Sequence, residues 1–84
     1  MEREMEIEII ERLYIDHKLM CFKYWDKYLT TPEGIDEYGC DREYYRDTYY
    51  RHSYTCDGLR LAMGVLGLDP EDYEETVSDQ YAAR

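Results

Sequence analysis

Eighty-four residues bound the chain to one small domain, and a formal charge of -10, from 20 acids against 10 bases, argues against direct binding to nucleic-acid phosphates. The uncharged runs are too short to span a membrane, and the acidic start MEREMEIEII is the reverse of a secretory leader. Three cysteines, an odd number, make no secreted disulfide framework, so a cytoplasmic, reducing setting is expected.

Helix 1 is predicted over about residues 4–29. Glu2, Glu4, Glu6, Glu8 and Glu11 crowd its first turns, where the helix dipole favours acids, and Lys18, Lys23 and Lys27 follow toward the other end. One row of side chains recurs in alternating steps of three and four: Ile7, Ile10, Tyr14, His17, Cys21, Tyr24 and Tyr28. Apolar residues also spill onto Ile9, Leu13, Met20 and onto Leu19, Phe22, Trp25, so helix 1 needs a second cover. Thr30-Thr31-Pro32-Glu33-Gly34 ends it, since Pro cannot continue a helix, and the loop runs over residues 30–40.

Helix 2 is predicted over about residues 41–66, with Asp41 as N-cap and Gly67 as the left-handed residue that stops it. Its row, Tyr45, Tyr49, His52, Cys56, Leu59, Met63 and Leu66, mirrors that of helix 1 about the Asp36-Glu37 peptide. Gly58 and Gly64 lie inside it, each costing about 1 kcal/mol relative to Ala, and Asp57-Gly58 is a turn dipeptide that threatens a break. Asp69-Pro70-Glu71-Asp72 then starts helix 3, over about residues 70–81. The fold class expected is all-α: an antiparallel two-helix hairpin with a short third helix lying on helix 1, Leu61, Val65 and Leu68. The domain spans residues 1–84. Tyrosine supplies 11 side chains, and because each buried hydroxyl needs a partner, many rings should sit half exposed.

The mirrored rows put His17 opposite Cys56 and Cys21 opposite His52. Each histidine is followed by a cysteine four positions on, so both members of a pair share one helical face. Helix axes about 8–10 Å apart leave room for a tetrahedral ion held through Zn–N and Zn–S bonds of about 2.0–2.3 Å. A structural zinc at His17, Cys21, His52 and Cys56 is therefore expected, its role folding rather than catalysis. The alternative is an ordinary core, where Cys acts as a small hydrophobe and His makes a hydrogen bond. Cys40 falls outside the layer as a free thiol.

No phosphate loop, nucleophile elbow or triad is present, and both histidines are committed to the seam, so no enzyme activity is expected. Two surfaces are left for partners. One is an acidic pole of Glu4, Glu8, Glu11, Glu71, Asp72, Glu74 and Glu75, suited to steering toward a basic protein. The other is a tyrosine and arginine face that includes Tyr44, Tyr50 and Tyr54, with Tyr38 beside them.

A tiny, acidic, Tyr-rich chain with the His17/Cys21 and His52/Cys56 constellation resembles the phage-encoded anti-CRISPR proteins, in particular the small metal-containing inhibitors of Cas9-type nucleases. The resemblance implies a bacterial host cytoplasm and a partner such as a CRISPR effector nuclease, whose basic channels hold guide RNA and target DNA. It carries over no individual residues. The alternatives are a zinc-stapled adaptor or regulatory module, monomeric or homodimeric, and a thiol-based zinc or redox sensor.

Overall fold

The computed structural model describes residues 2–32 and 34–83, with side chains from Glu4 onward; the side chain of Glu2 and all of Glu33 lie outside this description. Helix α1 spans Glu2–Thr30, α2 spans Arg42–Val65, and a 3₁₀ turn at Pro70–Tyr73 leads into α3 at Glu74–Ala82. The described residues are otherwise loops and turns, with one isolated bridge between Ile35 and Asp41. α1 and α2 form the antiparallel hairpin. The molecule measures 49 × 24 × 18 Å, and its radius of gyration of 14.9 Å exceeds the roughly 12 Å of a compact chain this long. It is a rod with little interior.

The mirrored rows are the hairpin interface: all fourteen of their side chains are buried or half-buried. Tyr14, Cys21, Cys56 and Met63 make the centre of the core, with Tyr14 and Met63 fully enclosed. α2 runs unbroken through Asp57-Gly58, so the turn tendency of that dipeptide loses to the packing of Cys56 and Met63 on either side. Asp41 caps α2 by accepting from the Tyr44 N–H at 2.8 Å. At the other end Gly67 takes φ +78°, and the N–H groups of Gly67 and Leu68 reach back to the Gly64 and Met63 carbonyls at 3.2 and 2.8 Å. That double bond is a Schellman closure, which only a left-handed residue permits without strain.

The loop between the long helices is built on one carboxylate. Asp36 accepts from the Tyr38 and Cys40 N–H groups at 2.9 and 2.8 Å and from the Tyr45 hydroxyl. The Tyr45 bond, ahead of the two backbone donors, holds the Asp36 carboxyl below its ordinary range and raises Tyr45 in turn. Arg42 fastens the hairpin's closed end, donating to the Tyr28 carbonyl at 3.3 Å with its guanidinium 4.9 Å from the Tyr28 ring. It thereby satisfies one of the orphan carbonyls at the end of α1.

α3 docks through a reciprocal pair of hydrogen bonds. Tyr14 of α1 donates to Glu74 of α3 at 3.3 Å, and Tyr73, just before α3, donates to Glu11 of α1 at 2.7 Å. The two rings meet edge to face at 6.3 Å. Val77 is fully buried, and Tyr81 lies 5.5 Å from Phe22. α3 does not cover everything the sequence assigned to it: Ile9, Leu13, Leu61 and Val65 stay exposed, at 56, 41, 76 and 87%. A nine-residue helix tied to α1 at Glu11, Tyr14 and Phe22 is too short to reach them as well.

Met63→Ala should cost about 2–5 kcal/mol, because the site is fully enclosed and two helices cannot collapse onto the void. In a domain this small that approaches the whole stability, and urea denaturation followed by circular dichroism measures it. Burial, opposed by nearby Arg60, pushes Tyr14 up to about 12, and burial followed by the Glu11 bond does the same to Tyr73, against an ordinary 10.0. The folded chain holds both protons more tightly than the unfolded chain, so their contribution is full below pH 10 and is lost as pH rises toward 12. Alkaline melts should show that loss, with a shallower slope in the Tyr14→Phe/Tyr73→Phe variant.

Candidate functional site

The midpoint of the hairpin carries His17 and Cys21 on α1 and His52 and Cys56 on α2, all four in the shared interface. They pair differently from the sequence expectation. The Nδ1 atoms of His17 and His52 stand 2.9 Å apart, and the thiols of Cys21 and Cys56 lie together in the buried cluster with Tyr14 and Met63. Like meets like, where the mirrored rows put each His opposite a Cys. The reason is reach: imidazoles are long enough to lean along the groove toward each other, while the short thiols meet nearer the axis of contact.

Burial sets the chemistry of each pair. At an Nδ1 separation of 2.9 Å one imidazole donates and the other accepts, so the pair holds a single proton between those atoms. Burial, followed by repulsion from His17, lowers the pKa of His52 and favours its neutral ring, the form that ligates metals. Tyr24 fixes that ring's plane, stacked on it at 5.6 Å with only 5° between them. In the thiol pair the Cys21 S–H bond lowers Cys56, with Lys18 assisting, while the same bond, then burial, raises Cys21 strongly.

Two imidazoles and two thiols are the donor set of a structural zinc, and the Nδ1 separation lies near the roughly 3.3 Å edge of a tetrahedral site. Yet among the described residues no three His, Cys, Asp or Glu side chains converge on one point. The donor chemistry fits; the four-way convergence is not formed in this arrangement. All three cysteines are reduced, with Cys21 and Cys56 buried and Cys40 half-buried in the loop.

The surface residues separate into smaller groups than the sequence suggests. Glu4, Glu8, Glu71, Asp72 and Glu75 are exposed, whereas Glu11 and Glu74 are half-buried and taken up by Tyr73 and Tyr14. Tyr50 and Tyr54 stack at 6.1 Å on α2, but Tyr44 instead lines a cleft of about 340 Å³ with Tyr38, Lys23 and Lys27. The tyrosine face is thus two faces. Reading the sequence alone missed Asp36 as the loop's anchor, Tyr24 as the support of His52 and Lys18 beside the thiols. Of these only Tyr24 had a visible signal, its place in the mirrored row.

Comparison with protein families, curated proteins and solved structures finds no match to this chain. No helix of the described residues is long and apolar enough to cross a membrane.

The burial pattern makes a direct prediction about thiol reactivity. Under native conditions an alkylating reagent should label Cys40 alone, and Cys21 and Cys56 should react only on unfolding. Peptide mass spectrometry of the labelled chain reads this out.

Proposed function

We propose that the chain is a non-enzymatic binding protein whose hairpin is fastened by a structural zinc at His17, Cys21, His52 and Cys56. The observation that carries the reading is that two imidazoles, 2.9 Å apart, and two buried thiols share the middle of the interface between α1 and α2. Capture of the ion would turn the two like pairs onto one centre, with both long helices keeping their places. A rod with so little interior needs such a staple more than a globular domain does. Both histidines face each other inside the seam, which leaves them no substrate to serve as acid or base.

The partner we infer is a basic protein that handles nucleic acid, met by the acidic pole at Glu4, Glu8, Glu71, Asp72 and Glu75. These acids are exposed, and the two ion pairs among the described residues, Arg12–Asp16 and Arg46–Asp47, leave the pole's charge uncompensated. The resemblance to anti-CRISPR proteins narrows that partner to a Cas9-type effector nuclease, with the acidic pole standing in for the phosphates of DNA.

The burial of the free thiols Cys21 and Cys56 in one cluster favours a second reading, a thiol-based sensor. On opening of the hairpin, peroxide would oxidise one of the two thiols to a sulfenic acid with release of water. The other thiol would then displace water from it to close a disulfide.

Elemental analysis beside circular dichroism, before and after chelation, tests the staple. One zinc per chain is expected, lost in Cys21→Ser or Cys56→Ser, with the melting temperature falling on chelation. A metal-free chain whose stability ignores added zinc overturns it. The partner is tested by titrating the zinc-loaded chain into a guide-loaded Cas9-type nuclease at rising salt. Binding should weaken steeply with ionic strength and with Glu71→Lys/Asp72→Lys, while absence of binding even at low salt rejects that partner. Closure of a disulfide under mild peroxide, with loss of partner binding, would favour the sensor.

A further inference from the structure

The outer face of α2 carries an apolar ridge that none of the described residues covers, its Val65 end also bordering a groove with Ile9 and Ile10 of α1. Tyr50, Tyr54, Leu61 and Val65 are 43, 67, 76 and 87% exposed. Their spacing of four, seven and four keeps them on one side of the helix, opposite the buried Tyr45, Cys56 and Met63. That spacing is also palindromic. Laid antiparallel against an identical ridge, each Tyr54 meets the partner's Leu61 and each Tyr50 meets the partner's Val65. The centre of the palindrome falls at Asp57-Gly58.

Gly58 gives a second, independent observation. A Cβ built there would touch nothing within 4 Å, and its φ lies in the ordinary helical range. The folded monomer therefore gains nothing from glycine at a position where alanine favours the helix. A second helix crossing at that point would gain, because its backbone could approach closely.

Charge selects the occupant. α2 carries Arg46 near its start, and the segment after its end carries Asp69. In the palindromic register Arg46 of each chain stands opposite Asp69 of the other at both ends, while Asp57 of each copy lies beside the dyad. Arg46, which within one chain has the exposed Asp47 at 3.6 Å, thereby gains a second carboxylate from an identical chain.

We propose that the chain forms a two-fold symmetric, antiparallel dimer through this ridge, with the dyad at Gly58. The contact is isologous and closes on itself, so it stops at two copies. A single helix ridge is smaller than the roughly 800 Å² per partner of a standard interface, and association falls in the range of about 1–100 µM. The proposal is independent of the zinc reading. It assigns Tyr50 and Tyr54 to self-association and leaves Glu4, Glu8 and Glu75 facing outward.

Sedimentation equilibrium from about 1 to 500 µM, at low and high salt, tests it. A monomer–dimer equilibrium that weakens as salt rises is expected. Leu61→Glu should abolish it with helicity unchanged, since that side chain is exposed in the monomer. Gly58→Ala should raise the melting temperature yet weaken association by at least about tenfold, a combination that a structural role for the glycine cannot produce. In a Cys40→Ser background, mixed Tyr54→Cys and Leu61→Cys chains should cross-link under oxidation to a mixed dimer, and neither alone should. A chain monomeric throughout the range overturns the proposal, as does a dimer indifferent to Leu61→Glu.

Discussion

Tyrosine hydroxyls paired with carboxylates are the interaction on which this rod depends. A chain with 11 tyrosines and one phenylalanine cannot bury rings without also burying oxygen, and each such oxygen must find an acceptor. Tyr14 finds Glu74, Tyr73 finds Glu11 and Tyr45 finds Asp36. Each pairing does a separate architectural job: the first two dock α3 on α1, and the third gathers the loop that reverses the chain. No buried side-chain oxygen or nitrogen among the described residues is left without a partner. The same bonds draw Glu11 and Glu74 out of the acidic surface, so the folding of the chain reduces the pole available to a partner.

The His and Cys layer follows a different logic. Where tyrosine and carboxylate are complementary, two imidazoles and two thiols are like groups facing like, and the imidazole pair settles its contact by holding one proton between its Nδ1 atoms. An ion held by all four would displace the two thiol protons and require the donating imidazole to carry its proton on Nε2 instead. Tyr24 adds rigidity by holding the His52 ring flat. Even without a metal, the layer makes the middle of the hairpin its most chemically distinctive part.

Much of this was legible in the sequence, for reasons that particular residues make plain. Alternating steps of three and four from Ile7 to Tyr28 and from Tyr45 to Leu66 can only be helical faces, and their mirror symmetry about the loop defines the hairpin. Asp41 and Gly67 were readable because helix ends use local bonds. The pairing within the His and Cys layer was not legible, because side-chain reach and rotamer decide it after the backbone is in place. Nor was the cover of α1: periodicity shows that a stripe is apolar, but it does not say whether a nine-residue helix will reach it. Contacts such as Tyr14 with Glu74 span 60 residues, a separation at which sequence patterns carry no signal.

The attachment of α3 has a kinetic consequence. The hairpin closes through the loop organised on Asp36, whose bonds join residues at most nine positions apart. The clasps on α3 join residues 60 and 62 positions apart, so they form only after α1 and α2 have met. α3 is then the last element to arrive and the first to leave. Its amides should therefore exchange ahead of those of α1 and α2, each opening returning Glu11 and Glu74 to the solvent-facing charge of the molecule.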